Sequence, residues 1–436
     1  MENNEFDYRQ TNILNCLKEI HIEGFEKYDL SKLLFNVTGE AIRANFFVSM
    51  KRFVKAILNS SFEVVDAKEY EKEKPLVVSY DYKRRDHTTY WEKFKNIIRD
   101  YNELKIAACG FEWRHINSPK EIIIGLISYS RIKKKLSIIN SKRIQSVLAS
   151  NIIELMRIEK RIASIQIDNR SAFIFFDGGR LENLVVQNLR NRGVIVAAMQ
   201  HGQPVFHGMN CDRINQTMIL NFSSDYIMVT GEFSKKQFML GGIPEEKIFV
   251  GGSLRTVHPV RENVRSNFAV FLDCPTYPNA SRDNQELLRY AEKIGDLLGT
   301  RYDIKCHPQD NPDSYQDSRV KNGLFAPQGV SISEVLEGKA FALLHASGVY
   351  LDIISEGIKA FCYVNNTEFP LVEEGLDSFE TVEELNEKIK KWNYYKPIQK
   401  KEYMDKIVEY YLYPENVEQR YMNFVKLIAS KEVEKN

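Results

Sequence analysis

Apolar residues recur at two different spacings along this chain, and the change of period marks its organisation. Between residues 10 and 60 they fall at helical spacing (Ile13, Leu14, Leu17, Ile20, then Phe46, Phe47, Met50, Phe53, Val54, Ile57), bounded by Asn and Ser clusters, which predicts helices. PLVVSYDY, Pro75 to Tyr82, is the first buried-strand pattern; a polar loop, Lys83-Arg84-Arg85-Asp86-His87, and a helix pattern, YWEKFKNIIRDY, follow it. That order is a βα unit with a basic loop at the strand's C-terminal end. From Pro119 to about Ile165 a long helical stretch interleaves Arg131, Lys133, Lys134, Lys135, Lys142 and Arg143 with Ile and Leu. It reads as a solvated helix face; the sharper alternative is a patch that rests on anionic lipid or a polyanionic acceptor.

Regular alternation follows: SAFIFFDGG, then the amphipathic ENLVVQNLRNRG, VIVAAMQHG, DYIMVTGEFS and KIFVGGS. These are successive βα units, so a parallel sheet is expected. Leu254 to Asn267 is polar and contains Pro259, which places a domain boundary there. A second series then runs FAVFLDC, NQELLRYAEKIGDLLG, YDIKCHP, AFALLHAS, GVYLDIISEG and AFCYVN, and the stretch from Val382 is helical and rich in Lys, Tyr and Trp. The expected architecture is α/β: a Rossmann-like domain with a helical N-terminal extension over 1–255, a second Rossmann-like domain over 256–400, and a C-terminal helical stretch over 401–436 that crosses back to the first domain. Two such domains leave a cleft at the carboxyl ends of their strands, where open sheets place ligands.

Composition narrows the class without naming it. The 436 residues carry 60 Lys+Arg against 59 Asp+Glu, so no global charge draws the chain to nucleic acid. Six scattered cysteines (Cys16, Cys109, Cys211, Cys274, Cys306, Cys362) form no CxxC pair, which argues against a zinc knuckle or a disulfide framework and fits a reducing cytoplasm. The N-terminus lacks the apolar core of a signal peptide and no run is long enough to span a bilayer, so a soluble or peripheral protein is expected. The dispersed histidines suggest no metal cage, and no GxxxxGK[ST] is present.

The chemistry concentrates at strand ends. Lys305-Cys306-His307-Pro308 presents a cation and an imidazole from a turn that Pro308 stiffens, and both suit a phosphate oxygen. His345-Ala346-Ser347-Gly348 continues into a helix, so the Ser347 hydroxyl and the backbone N–H groups near Gly348 are expected to face an anion. Glu356, toward that helix's end, serves either a ribose hydroxyl or the surface, and Asp352 reads as structural. Gln200-His201-Gly202, with His207 a turn further on, places His201 as a general base for an acceptor hydroxyl or as a loop-fixing side chain. Asp177-Gly178-Gly179-Arg180 reads as a turn whose glycines tolerate positive φ and whose aspartate caps the next helix; in the alternative, Asp177 is the base and His201 assists it. Arg84, Arg85, Gly202 and His207 complete the expected acceptor side.

Taken in order, QHG, SSDYIMVTGEFSKKQFMLGGIPEEKIFVGGS, KCHP and HASGVYLDIISEG resemble the GT-B glycosyltransferases of bacterial surface polysaccharides, above all the capsule polysaccharide transferases that add Kdo and the CDP-glycerol glycerophosphotransferases, over about residues 170 to 375. The resemblance implies that His307, Ser347 and Gly348 hold donor phosphates while His201 or Asp177 activates the acceptor. The third motif departs from the family by carrying His345-Ala346 where an acidic or hydroxyl residue is expected, so donor identity does not carry over. The resemblance therefore implies an inverting, metal-independent transferase without a resident cofactor. Its donor is CMP-, CDP- or UDP-linked, its acceptor a glycan or lipid-linked glycan, and its place the cytoplasm or the inner face of the membrane. Two rivals stand beside it. One is a UDP-N-acetylglucosamine 2-epimerase, whose pattern ALLHASGVYLDIISEG also resembles; the other is a non-catalytic subunit of a polysaccharide assembly complex.

Overall fold

The computed structural model describes residues 2–58, 62–65, 71–80, 85–108, 117–200, 202–206, 216–261, 267–274, 280–308, 310–315, 320–345, 347–364 and 377–431. It divides into two compact units. The first comprises Met1–Val229, Gln237–Gly251 and Glu418–Asn436, the second Thr230–Lys236 and Gly252–Val417. The passage between them at Gly251 and Gly252 precedes the polar stretch that predicted it. The C-terminal stretch divides: the helix Pro397–Leu412 belongs to the second unit, and Val417–Ser430 rejoins the first from Glu418 onward. What draws the last helix there is aromatic packing. Tyr421 lies 5.9 Å from Phe94, its hydroxyl is 2.9 Å from that of Tyr90, and Phe424 packs 4.8 Å from Phe249 and 6.1 Å from Phe173.

The first unit is built on β1 (Phe62–Val65), β2 (Leu76–Tyr80), β3 (Asn102–Ala108), β4 (Ser171–Ile174), β5 (Ile195–Met199), β6 (Tyr226–Val229) and β7 (Ile248–Val250), in the spatial order β1-β3-β2-β4-β5-β6-β7. Every neighbouring pair is parallel except β1 and β3, which run antiparallel, so the expectation of a wholly parallel sheet is corrected at this edge. Apart from β1, this is the doubly wound order with its switch point between β2 and β4. β2, β4 and β5 are buried along their whole length, which is why they read as continuous apolar runs.

The second unit carries β8 (Phe268–Phe271), β9 (Tyr302–Lys305), β10 (Gly323–Phe325), β11 (Phe341–Leu344), β12 (Lys359–Tyr363) and β13 (Ser378–Phe379), all parallel, in the order β10-β9-β8-β11-β12-β13. Counted from β8, that is the 3-2-1-4-5-6 order of a Rossmann sheet, whose switch point lies between β8 and β11. Phe268, Tyr302 and Phe341 stack at 4.9 Å across three adjacent strands and fix their mutual register. The crossover helix Ala280–Leu298 buries Leu287, Leu288, Ala291 and Ile294.

Within the second unit the segment after β6 approaches the helix Pro397–Leu412 so closely that only a glycine fits. A Cβ on Gly231 would stand 2.4 Å from the Tyr410 carbonyl oxygen and 2.5 Å from the Tyr411 carbonyl carbon, and Thr230 Oγ1 donates to the Tyr411 carbonyl at 3.0 Å. Backbone cannot yield as a side chain does, so Gly231→Ala is expected to destabilise the protein by about 3 kcal/mol. Thermal unfolding of the variant checks this, and an unchanged melting temperature would contradict the packing.

Candidate functional site

The site is assembled where β9, β8 and β11 end. Lys305 pairs in register with Phe271, and Phe271 with Leu344, so residues following these three strands leave one sheet edge at the same level. Neighbouring strands stand about 4.8 Å apart. KCHP and HASG, 40 residues apart in sequence counted from Lys305 to His345, therefore meet beside the switch point of a Rossmann sheet.

Asp273 ties this edge together, and motif reading did not find it. It follows β8, is 2% exposed, and its Oδ2 lies 2.8 Å from His345 Nδ1. The Asp273 backbone is held by Asn284 of the crossover helix: its N–H donates to Asn284 Oδ1 at 2.8 Å, and Asn284 Nδ2 donates to its carbonyl at 3.2 Å. Asn284 Nδ2 also donates to the Tyr315 hydroxyl at 2.9 Å, and that hydroxyl donates to Asp310 Oδ2 at 2.5 Å. The Asp310 N–H in turn donates to the His307 carbonyl at 2.8 Å. One chain of hydrogen bonds thus runs from the third signature through the end of β8 to the second. His345 turns Nδ1 toward Asp273, which leaves Nε2 as the ring nitrogen that a ligand would meet.

The predicted donor residues take unequal places around this edge. Lys305 is half-buried and its ammonium donates to the Val330 carbonyl at 2.6 Å; burial lowers its pKa below the ordinary lysine value, and it keeps further N–H donors. His307 is half-buried and Pro308 exposed, both on the turn that Asp310 closes. Between them, burial pushes the Cys306 thiol up to about 11, so it is protonated at neutral pH and is no nucleophile. Ser347 Oγ accepts the Val349 N–H at 3.4 Å and retains its own proton to donate.

Two expectations about the helix after Ser347 are corrected. It runs only from Val349 to Ser355, with Gly348 as its cap, and its first N–H groups bond inward: Tyr350 to the Ser347 carbonyl at 3.1 Å and Leu351 to that of Gly348 at 3.2 Å. The Val349, Tyr350 and Leu351 N–H groups are thereby not open to an anion. Glu356 stands at the other end of this helix and is ion-paired with Arg261 at 2.7 Å, so the structure does not bring it to the Lys305–His345 edge. Asp352 accepts from Arg255 Nε at 2.6 Å. The helix is anchored from beneath by Tyr350, whose hydroxyl donates to the fully buried Asp377 at 2.9 Å; Asp377 also pairs with buried Lys359 and accepts from Tyr403 at 2.8 Å.

A cavity of about 170 Å³ opens at the opposite edge of this sheet, lined by Arg261, Lys339, Lys359, Trp392 and Lys400. Three of these cations already have carboxylate partners, Glu356, Asp303 and Asp377. The cavity lies at the amino ends of β11 and β12, away from the edge where such sheets hold ligands.

In the first unit, Asp177 follows β4 at the switch point and is 1% exposed. It does not cap the next helix; its Oδ2 accepts the N–H groups of Ser223 and Ser224, each at 2.8 Å, and so fastens the loop that enters β6. Burial pushes its carboxyl above the usual range while those two donors oppose the shift. Gly178 and Gly179 do not use the positive φ that glycine tolerates: a Cβ on Gly178 would stand 2.6 Å from the Phe176 ring, so close approach keeps that position small, whereas one on Gly179 would meet only the movable end of the Glu182 side chain. Arg180 reaches Glu154 at 2.5 Å. Gln200 is buried and donates to the Gly202 carbonyl at 2.6 Å, with Gly202 at φ 70°. His201, His207 and Arg84 lie outside the described residues, as does the side chain of Arg85, whose backbone opens the helix Arg85–Ile98. Among the described residues no group of three or more His, Cys, Asp or Glu is placed to hold a metal.

No protein-family model matches the sequence, and no curated protein matches it. Solved structures match the fold. Staphylococcus aureus MnaA in its structure with UDP is 11% identical, with 83% of this chain and 99% of that one covered and a TM-score of 0.50. UDP-GlcNAc 2-epimerase from Neisseria meningitidis bound to UDP-GlcNAc is 11% identical over 82% of this chain and all of that one, at 0.49. The lipopolysaccharide outer core galactosyltransferase WaaB is 13% identical over 81% of this chain and 99% of that one, at 0.45. At such identities the likeness is one of fold: two Rossmann-like α/β units of the GT-B type.

The environment of Asp177 separates its two readings. Asp177→Ala leaves two buried N–H groups without their acceptor and is expected to cost about 3 kcal/mol, seen in thermal unfolding. Because folding raises this pKa, the folded protein holds its proton more tightly. Wild-type stability therefore falls relative to Asp177→Asn as pH rises from the ordinary carboxylate range through the raised value. An Asp177→Ala protein of unchanged melting temperature but no turnover would make the carboxylate catalytic instead.

Proposed function

We propose that this protein is a glycosyltransferase of the GT-B type that moves a sugar or polyol phosphate from a nucleotide-activated donor to a bacterial capsule or cell-surface glycan. The observation that carries this reading is that Lys305, His307, His345 and Ser347 all follow strands ending at the edge beside the β8/β11 switch point, with His345 and the His307 turn joined by the Asp273 hydrogen-bond chain. Such an edge holds a diphosphate in other open sheets. The UDP held by the Staphylococcus aureus structure of the same fold supports a nucleotide donor.

In this reading the donor's phosphates lie over that edge. Lys305 neutralises charge, His307 and Ser347 donate hydrogen bonds, and His345, carrying a proton on both nitrogens in this reading, donates its Nε2–H to a phosphate oxygen while Nδ1–H faces Asp273. As the glycosidic bond to the phosphate breaks, its electron pair stays on the phosphate oxygen. For a sugar the acceptor hydroxyl attacks the anomeric carbon from the opposite face, inverting it; for a polyol phosphate it attacks the phosphorus, the P–O–P bond breaks and the nucleoside monophosphate leaves with the electron pair; in both the hydroxyl proton passes to a base. His201 is the residue proposed for that base, since Asp177 is occupied by backbone donors. The side chains on the leaving phosphate perform the neutralisation that a metal performs elsewhere, so the proposed reaction is metal-independent. The acceptor, a glycan or lipid-linked glycan, would be met at the inner face of the cell membrane.

The epimerase reading is separated by acceptor dependence. A thermal-shift screen against CMP, CDP, UDP and GDP selects the nucleotide, since a ligand that binds only the native state raises its stability. Turnover of the matching sugar conjugates then follows, with and without acceptor. Transfer that requires acceptor supports the proposal; product from UDP-GlcNAc alone supports an epimerase. His307→Ala is expected to weaken nucleotide binding about 10- to 100-fold while leaving the melting temperature of the free protein unchanged, because a charge-assisted hydrogen bond contributes about 1.5–3 kcal/mol. Equal nucleotide affinity in wild type and His307→Ala would remove His307 from the site.

A further inference from the structure

The helix Phe46–Leu58 is inside out. It buries Ser49, Ala56 and Ile57, while Phe46 is 66% exposed, Phe47 79%, Met50 45% and Val54 41%. The neighbouring helix Pro119–Lys135 repeats the inversion: it buries Gly125 and Ile132 and exposes Ile123, Ile124, Leu126 and Ile127 by 44% or more. Neither helix is loosely attached. A Cβ on Gly125 would stand 2.8 Å from Arg157 of the helix Lys142–Ala163 and 3.4 Å from Ile57, Phe53 and Tyr129 pair their rings at 4.6 Å, and Asn117 donates to the Ile57 carbonyl at 2.8 Å. The inward sides are filled and the apolar sides left outside, on a single unit of the protein. Isolated exposed apolar residues are ordinary; nine large ones on two adjoining helices, Val48 at 41% among them, are not.

Charge decides what covers this face. The helix Phe46–Leu58 contains Lys51, Arg52 and Lys55 and no acidic residue. From Ile122 to Ile153 there is no Asp or Glu either, while Lys133, Lys134, Lys135, Lys142 and Arg143 follow the apolar stripe, with Ile138 61% exposed among them. We infer that this two-helix face docks on the surface of an anionic lipid bilayer, its phenylalanine and isoleucine side chains entering the headgroup boundary and its cations lying against lipid phosphates. A second copy of the chain would set cations against cations across a two-fold axis. A polyanion would satisfy the cations and leave the apolar side chains in water. A bilayer surface offers both chemistries at once. The inference gives the acceptor-side reading above a physical location and does not depend on the donor chemistry.

Sedimentation of the full chain with vesicles tests it. Binding to vesicles of phosphatidylglycerol and phosphatidylcholine is expected, with much weaker binding to phosphatidylcholine alone. The double variant Phe47→Ser, Ile127→Ser is expected to lower partitioning about tenfold. The triple variant Lys133→Ser, Lys134→Ser, Lys135→Ser is expected to lose most of the preference for the anionic vesicles and of the salt dependence. Unchanged melting temperatures and nucleotide-induced thermal shifts in both variants separate this result from any failure of the donor site. Wild-type protein that stays in the supernatant with anionic vesicles at low salt would overturn the inference. So would a dimer in light scattering that Phe47→Ser, Ile127→Ser converts to monomer.

Discussion

A carboxylate that is 2% exposed at the end of β8 sets the terms for everything around it. A buried carboxyl group is costly unless it is hydrogen-bonded, and Asp273 is held there by His345 Nδ1 against its Oδ2 and by Asn284 on its backbone. Those partners arrive from β11 and from the crossover helix, and Asn284 passes the constraint on through Tyr315 and Asp310 to the turn that carries His307. Two loops far apart in sequence are thereby locked to one sheet edge, the one where the strand order reverses. Preorganisation of this kind is what a phosphate site requires, since donors already held in place need not be ordered when the anion arrives.

The first unit uses the same device for a different end. Asp177 also follows a strand at a switch point and is equally buried, yet its carboxylate faces two backbone N–H groups of the Ser223–Ser224 loop. The contrast rests on the partner. Backbone donors make a carboxylate a fastening, whereas an imidazole leaves a second nitrogen for chemistry. Aspartates of identical type at equivalent strand ends therefore divide into a structural residue and a candidate working pair by what the fold sets against them.

The alternation of apolar runs with amphipathic stretches was enough to expect two Rossmann-like units, because β2, β4, β5, β8 and β11 are buried on both faces and read as unbroken apolar segments. β1, β3, β10 and β13 escaped that reading. β10 and β13 are three and two residues long, and β3 alternates polar and apolar residues as NELKIAA, so none shows a continuous apolar run. KCHP and HASG were legible as strand-end motifs. That Asp273 joins them was not, because its partner lies 72 residues away and only the sheet order makes them neighbours. The spacing of Phe46, Phe47, Met50 and Val54 correctly predicted a helix, but periodicity does not say which side faces the core, and here the apolar side faces out.

If, as proposed, the Asp273–His345 pair organises a nucleotide-phosphate site on the second unit, altering the pair must weaken nucleotide binding. Titration calorimetry with UDP, or with whichever nucleotide raises the melting temperature most, tests it when wild type, Asp273→Asn and Asp177→Asn are compared under one set of conditions. The account predicts affinity lower by about tenfold or more in Asp273→Asn and unchanged in Asp177→Asn, since only the first alters the imidazole that meets the phosphate. Affinity unchanged in Asp273→Asn, with the protein folded, would contradict it.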